Sequence, residues 1–413
     1  MRRGPRPLLL HLTLAMQRSN VSRATSPFWN TDWRNSSVAA ILESIQRAAQ
    51  GQRAAQGQNA AQGGKSPSDF PSAVVAETMR QDAALIEGIA AYRRHPAYRT
   101  LEDPPCIWSE GSTRLLDYGP PAGRPVVFVP SLVNRAYVLD LAEGNSMLRW
   151  LALRGIRPLL LDWGWPEETE RRFNLTDYVA GRMERALTAA VRAVGVPPVL
   201  AGYCMGGTLA VAAAQRRPDL IGGLALLAAP WDFHAPEADR ATQLAKTLPL
   251  LEPALAFSRA LPVDLLQSLF ALLDPWSVAD KYRAFARLPP ESERARLFVA
   301  LEDWLNDGVP LAADVARVCL REWYGENAPA RGTWRIAGLP VDPASIATPT
   351  FVAVPDRDRI VPPESARPLS RLIPGAVLHQ PAAGHIGMAA GARAEAVLWR
   401  PLLDWLETLG RSI

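Results

Sequence analysis

Six short apolar runs recur along the chain after Thr113, and helical patterns separate most of them. They occupy residues 126–129, 158–161, 199–201, 224–227, 351–354 and 377–379. Short apolar runs that alternate with segments of helical period are typical of parallel strands joined by right-handed crossover helices. We therefore expect an α/β protein with a mostly parallel, doubly wound sheet.

The alternation disappears between Trp231 and about Gly338, where helix-like segments rich in Leu, Ala, Trp and Pro take its place. We interpret this stretch as an inserted helical cap over an active site. The expected organisation is a low-complexity, disordered tail (1–69), a helical arm (70–112), the first part of the core (113–233), the cap (234–338) and the second part of the core (339–413).

The N-terminal tail carries a short repeat. Arg-Ala-Ala-Gln-Gly-Gln at residues 47–52 recurs at 53–58 and, degenerately, at 59–64, which is typical of a linker. Trp29 and Trp33 precede it and either cover the body of the protein or dock on a partner. No small-residue cleavage site follows the basic first residues and the apolar run at 7–16, so we expect no signal peptide. Met1 and Met16 are both candidates for the first translated residue.

Composition narrows the classes of protein and partner. The 413 residues are 48% hydrophobic with a net charge of +4, and the basic residues form no stripe of the kind that binds nucleic acid. The cysteines (Cys106, Cys204 and Cys319) have neither disulfide nor metal-ligand spacing, so they indicate neither a disulfide framework nor a zinc site and favour a reducing cytoplasm. No apolar run reaches the roughly 18 residues of a membrane span.

The strongest chemical signal is the turn at residues 202–207, which reads Gly-Tyr-Cys-Met-Gly-Gly between an apolar run and a small-residue helix pattern. Such a strand-to-helix turn is a nucleophile elbow, in which glycines permit close backbone approach and the helix N-terminus favours negative charge. Cys204 is therefore the candidate nucleophile for covalent acyl chemistry. The alternative is a buried cysteine that only packs.

A base for this thiol is sought among five histidines. His11 and His95 precede the sheet, His234 comes too early and His379 lies inside a strand pattern, so these four fit poorly. His385 lies in a glycine-flanked loop after the last strand, where an imidazole can reach the carboxyl edge of the sheet. We expect His385 to be the base.

The carboxylate that orients the base should follow the preceding strand, where Asp356 and Asp358 both occur. We prefer Asp358 because it directly precedes the Ile-Val-Pro turn, and Asp356 stays as the alternative. The oxyanion donors should be the N–H of Met205, after the nucleophile, and an N–H of the loop after the first core strand. Val133 is the first choice there, ahead of Leu132, and Asn134 either positions this loop or only shapes the turn.

Taken together, these residues resemble the polyhydroxyalkanoate synthases, which are α/β-hydrolase fold enzymes, over about residues 113–395. The motifs are Ser-Leu-Val-Asn-Arg-Ala-Tyr-Val-Leu-Asp-Leu at 131–141, Leu-Asp-Trp-Gly-Trp-Pro at 161–166, the elbow, Ala-Pro-Trp-Asp-Phe at 229–233, Asp-Arg-Ile-Val-Pro at 358–362 and Gly-His-Ile-Gly at 384–387. The sequences of these motifs are most similar to those of the short synthases that work with a companion subunit.

The resemblance implies polymerisation of (R)-3-hydroxyacyl-CoA into polyester with release of CoA and no cofactor. It also implies a growing polyester chain, a companion subunit and a second copy of the chain as partners, at the surface of cytoplasmic polyester granules. One departure is Arg359, since the family has histidine beside this aspartate, and we expect Arg359 to pair with Asp140. The N-terminal extension is a second departure and leaves the need for a companion open.

Two other functions compete. A cysteine hydrolase similar to dienelactone hydrolase, or a thioesterase, has a related elbow, but the long interval between Cys204 and Asp358 leaves room for a cap that the compact dienelactone-type enzymes lack. A non-catalytic granule-associated protein would not need the set of Cys204, Asp358 and His385.

Overall fold

The computed structural model describes residues 2, 4–25, 69–271 and 275–410. The repeats at 47–64 and the tryptophans Trp29 and Trp33 lie outside the described residues, so their predictions stay predictions. Within the described residues, no helix combines the length and the apolar character that crossing a bilayer requires.

An eight-stranded sheet forms the core of the larger part of the chain. Its strands are β1 (Cys106–Glu110), β2 (Thr113–Asp117), β3 (Arg124–Val129), β4 (Ile156–Asp162), β5 (Val199–Tyr203), β6 (Gly223–Leu227), β7 (Thr350–Ala353) and β8 (Val377–His379). The spatial order is β1-β2-β4-β3-β5-β6-β7-β8. The pairs β1 with β2 and β2 with β4 are antiparallel, and the other pairs are parallel.

The predicted doubly wound sheet is confirmed, and each of the six apolar runs lies in a strand except for Val354, which directly follows β7. Every residue of β5 and of β6 is buried, as expected for central strands that are covered on both faces. The edge strand β1 and its neighbour β2, both in antiparallel pairs, were not predicted, because polar residues interrupt them: β1 reads Cys-Ile-Trp-Ser-Glu and β2 reads Thr-Arg-Leu-Leu-Asp.

Along the chain, helices precede the sheet, connect its parallel strands and occupy the interval between β6 and β7. The α-helices are Leu8–Thr25, Asp69–Arg94, Met147–Ala152, Glu184–Val194, Met205–Arg216, Ala238–Ala245, Leu248–Ser258, Val263–Ala271, Ser277–Phe285, Glu293–Asn306, Ala313–Val318, Pro363–Ala366, Pro368–Leu372, His385–Ala390 and Arg400–Thr408. Segments of π-helix span Asp177–Met183, Cys319–Gly325 and Glu395–Trp399. We call Met205–Arg216 the elbow helix.

The chain divides into two compact units, residues 1–96 with 274–295 and residues 97–273 with 296–413. In the first unit, helix Asp69–Arg94 packs against Leu8–Thr25 and Ser277–Phe285, and the rings of Tyr92 and Tyr282 meet edge to face at 5.6 Å.

This division differs from the expected boundaries in three places. A helix occupies Leu8–Thr25, within the stretch expected to be disordered. The arm ends at Arg94, and strand β1, which follows it, belongs to the sheet. Residues 274–295, which were assigned to the cap, belong to the first unit because their helix packs on the arm helix. Below, "the cap" means the elements of the second unit between β6 and β7.

Candidate active site

Cys204 lies at a strained turn between β5 and the elbow helix. Its φ of 56° and ψ of −130° place a residue that carries a side chain in a region that glycine normally occupies. The Cys204 N–H donates to the carbonyl of Leu227 at 2.9 Å, and the Gly207 N–H donates to the carbonyl of Cys204 at 2.8 Å. These bonds hold the turn so that the thiol lines a cavity at the carboxyl edge of the sheet.

The three glycines of this turn are required by close backbone contacts. A Cβ on Gly202 would lie 2.4 Å from the Cα of Gly207, and a Cβ on Gly207 would lie 2.5 Å from the Cβ of Ala229. A Cβ on Gly206 would lie 2.2 Å from the carbonyl oxygen of Val129. The glycine spacing read from the sequence therefore has a steric cause.

Asp358 and His385 form a buried pair. The Oδ2 atom of Asp358 lies 2.6 Å from Nδ1 of His385, and both residues are more than nine-tenths buried. The Oδ1 atom of Asp358 accepts the N–H groups of Ile360 at 2.9 Å and Val361 at 2.8 Å, which fixes the carboxylate. The alternative, Asp356, is half exposed and lies 3.4 Å from Arg357, so the structure brings Asp358 and not Asp356 to the imidazole.

Burial alone would lower the pKa of His385, because it disfavours the charged imidazolium. Electrostatic interactions with Cys204 and with the Asp358 carboxylate, and side-chain hydrogen bonds to both, act in the opposite direction and raise the pKa of His385 to about 10. Tyr203 packs beside the imidazole with ring centroids 5.1 Å apart, and its hydroxyl donates to the carbonyl of His385 at 3.2 Å. The arrangement therefore makes His385 a stronger base than a free imidazole.

The two expected oxyanion donors belong to residues that line the same cavity as the nucleophile. Met205 opens the elbow helix, where N–H groups have no intrahelical acceptor, and both Met205 and Val133 line the same cavity as Cys204. The Val133 N–H donates to the Ser131 hydroxyl at 3.3 Å. Ser131, which was not predicted as a site residue, also lines the cavity, and a serine in a turn gave no distinguishing signal.

Asn134 holds its loop through the main chain. Its backbone pairs with Gly308 in an isolated bridge, and the neighbouring carbonyl of Arg135 accepts the indole N–H of Trp304 at 2.7 Å. The side-chain oxygen of Asn134 is buried and has no hydrogen-bond partner among the described residues. Positioning of this loop by the Asn134 side chain is therefore not supported.

The predicted pair between Arg359 and Asp140 is wrong. The Asp140 carboxylate is fully buried and accepts hydrogen bonds from Arg149 at 2.8 Å, from Arg99 at 3.0 Å and from the Tyr118 hydroxyl at 3.1 Å. Its oxygens are thus already occupied, and Arg359 lines the cavity instead. No local pattern in the sequence indicates this network, because Arg99 precedes the sheet and lies far from Asp140 along the chain.

A cavity of about 480 Å³ opens above Cys204, with its floor from the core and its walls from the cap. Its wall is mainly apolar and includes Leu244, Leu261, Leu266, Leu269, Phe270 and Leu311. Charged side chains, among them Glu237, Arg240 and Arg359, line another part. In the described part of the chain no cluster of three or more acidic, histidine or cysteine side chains is arranged to hold a metal ion.

Comparison with known proteins identifies relatives of this chain. Residues 124–391 match a family model described as the alpha/beta hydrolase fold. The chain is 30% identical over 311 residues to a poly(3-hydroxyalkanoate) polymerase subunit PhaC from Haloferax mediterranei, a match that covers 72% of this chain and 62% of the relative. The PhaC subunits of Allochromatium vinosum and a Synechocystis species are each 27% identical.

The share of each relative's length that the match covers differs from one relative to another. The match covers 81% of this chain and 97% of the Allochromatium vinosum subunit, and 68% and 77% respectively for the Synechocystis subunit. The chain thus spans less than two thirds of the haloarchaeal relative but nearly the whole of the Allochromatium one.

Proposed function

This chain belongs to the α/β-hydrolase fold family and is related to the poly(3-hydroxyalkanoate) polymerases, and we propose that it polymerises (R)-3-hydroxyacyl-CoA thioesters into polyester with release of CoA. The observation that carries the proposal is the buried pair of Asp358 and His385 beside a strained Cys204, at the base of a mainly apolar, capped cavity. No cofactor takes part.

In the first step, His385 accepts the thiol proton and the sulfur of Cys204 attacks the thioester carbonyl. The N–H groups of Met205 and Val133 stabilise the oxyanion, for which the Val133 N–H leaves the Ser131 hydroxyl. The bond from carbonyl carbon to CoA sulfur breaks, and the leaving CoA takes the proton from His385. One thioester replaces another, so the exchange is nearly isoenergetic.

In the second step, the 3-hydroxyl of another acyl group attacks the acyl carbon on Cys204. His385, held by Asp358, takes the hydroxyl proton, an ester bond forms and the Cys204 thiolate leaves. Water in the same position would release free acid instead. The apolar cap wall supports polymerisation over hydrolysis because it limits access of water to the acyl-enzyme.

The polyester product also indicates where the protein works and which molecules it contacts. A water-insoluble polyester chain accumulates as granules, and we propose that the protein works at their surface in the cytoplasm. A companion synthase subunit and a second copy of the chain are the proposed protein partners.

The test is incubation of the purified chain with (R)-3-hydroxybutyryl-CoA, with thiol release and polymer followed together. We expect polymer and free CoA in step, and loss of both in Cys204→Ala. Thiol release that yields only free acid would identify a hydrolase. No release, even with the companion subunit of a related two-subunit synthase supplied, would identify a non-catalytic protein, and turnover by Cys204→Ala would refute the assigned nucleophile.

A further inference from the structure

One wall of the cavity is formed by a π-helical segment of the cap, Cys319–Gly325. The Glu326 N–H donates to the carbonyl of Arg321 at 2.9 Å, one residue further back than in an α-helix. Short π-helical turns occur frequently at functional sites. This turn brings Tyr324 to the cavity that contains Cys204.

The Tyr324 ring is held in place while its hydroxyl is left open. The ring packs edge to face on Phe233 at 5.2 Å, and the backbone carbonyl of Tyr324 lies 2.9 Å from Nε2 of His234. Within the described part of the chain, no group forms a hydrogen bond with the Tyr324 hydroxyl. A bound ligand with a matching polar atom could accept a hydrogen bond from this hydroxyl, which is worth about 0.5–1.5 kcal/mol net.

Tyr324 and Cys204 line the same cavity. Burial is the largest cause that raises the pKa of Tyr324, and electrostatic interactions with the sulfurs of Cys319 and Cys204 raise it further. The phenol therefore stays protonated at neutral pH and acts as a hydrogen-bond donor.

We propose that the Tyr324 hydroxyl donates a hydrogen bond to the 3-hydroxyl oxygen of the acyl group on Cys204, and so selects 3-hydroxyacyl thioesters. This inference rests on the proposed function. The carbonyl oxygen of the acyl group is already directed to the N–H groups of Met205 and Val133. The 3-hydroxyl is then its remaining polar atom, and Tyr324 offers a donor from the cap side.

This hydrogen bond acts on the binding of the acyl group and not on the proton transfer of elongation, in which the attacking hydroxyl belongs to a second acyl group. A site built to bind a substrate hydroxyl discriminates against analogues that lack it, because its own polar group then stays unpaired.

The test compares two substrates and three proteins. Single-turnover acylation of Cys204 is measured by mass spectrometry after rapid quench, with (R)-3-hydroxybutyryl-CoA and with butyryl-CoA, which lacks the 3-hydroxyl. The proteins are the wild type, Tyr324→Phe and the control Tyr137→Phe, which removes a hydroxyl that lies 3.3 Å from Asp307 outside the cavity lining.

We expect Tyr324→Phe to slow acylation by the 3-hydroxy substrate about tenfold and to change the butyryl-CoA rate less than about twofold, with Tyr137→Phe behaving as wild type. Equal slowing with both substrates, or no slowing with either, would overturn the inference and leave the proposed function standing. Failure of the wild type to be acylated by either CoA ester would overturn the proposed function, and this inference with it.

Discussion

At the scale of single residues, the site depends on a backbone conformation that is unfavourable in isolation. A left-handed φ at a non-glycine residue such as Cys204 costs about 1–3 kcal/mol and persists only where the surroundings enforce it. The enforcing contacts come from Gly202, Gly206 and Gly207, each of which lets two backbone segments approach more closely than any Cβ permits. Strain at the nucleophile is thus offset by packing around it.

Gly206→Ala tests this dependence. The new Cβ would lie 2.2 Å from the Val129 carbonyl oxygen, so either the turn or the loop that carries Val133 must move. We expect a loss of about 1–3 kcal/mol in the free energy of unfolding, measured in urea, and a fall of about 100-fold in turnover. The control is Gly181→Ala, where the nearest atom is the flexible end of Arg185 at 3.5 Å. Wild-type turnover in Gly206→Ala would contradict the steric account.

The pKa of His385 is the second residue-scale quantity open to measurement. Because the carboxylate of Asp358 helps to raise this pKa to about 10, Asp358→Asn should lower it. NMR titration of the imidazole signals, assigned with a His385→Gln variant, measures the shift. Asp356→Asn is the matched control, since that carboxylate is half exposed and contacts Arg357. An unchanged pKa in Asp358→Asn would contradict the coupling.

The free energy of unfolding should depend on pH through the same protonation of His385. The pKa of His385 lies above its ordinary value of 6.5, so the charged imidazole stabilises the folded state fully below about pH 6.5. This contribution is lost as the pH rises towards 10. We therefore expect the difference in free energy of unfolding between wild type and Asp358→Asn to shrink over that interval, as measured by urea unfolding at several pH values. A difference that grows with pH would show the opposite sign of coupling.

At the scale of elements, the parallel strands and the cap contribute different parts of the site. The pairs of Val129 with Gly202 and of Gly202 with Leu226 align the ends of β3, β5 and β6. This register brings the turn after β5 against the loop after β3, so a nucleophile and an oxyanion donor meet at one edge. The cap adds the walls, and its side chains decide what shares the space with the acyl group.

Leu266→Ala tests the cap wall. Leu266 is 6% exposed and lines the cavity, so its truncation should cost about 2–5 kcal/mol of stability and leave space for water. We expect a larger share of substrate to leave as free 3-hydroxy acid, quantified by chromatography against polymer. Leu250→Ala, at a residue that is 83% exposed on the neighbouring helix, should change neither stability nor product ratio. An unchanged product ratio in Leu266→Ala would argue against water exclusion by the cap.

At the scale of the whole molecule, a buried charge network ties distant parts of the second unit together. Asp140 joins Arg99, which precedes the sheet, to Arg149, which follows the first core loop, and to Tyr118 at the end of β2. Removal of one partner from a buried ion pair leaves the opposite charge unpaired, which is far more costly than loss of a surface pair.

Asp140→Ala should therefore lower the free energy of unfolding by about 1–3 kcal/mol in urea or thermal unfolding, since two partly exposed guanidinium groups and the Tyr118 hydroxyl lose their acceptor. The surface pair of Asp219 and Arg217 provides the control, and Asp219→Ala should have little effect. Similar free energies of unfolding for the two variants would mean that the network around Asp140 does not stabilise the folded state.

The chain's sequence by itself determined the sheet, the elbow and the order of its chemical groups. Apolar runs of strand length and glycines at fixed offsets are local signals, so the six core strands, Cys204 and the loop with His385 could be read directly. An edge strand such as β1 lacks such a signal because none of its residues is fully buried, so polar residues are tolerated along it.

Tertiary structure decided what depends on distance between segments far apart in sequence. Whether Asp356 or Asp358 meets His385 turns on the side to which each carboxylate points, and adjacent residues on one short loop look alike in sequence. The partners of Asp140 and the cavity position of Tyr324 likewise arise only when strands, loops and cap are packed, because burial and charge act through space and not along the chain.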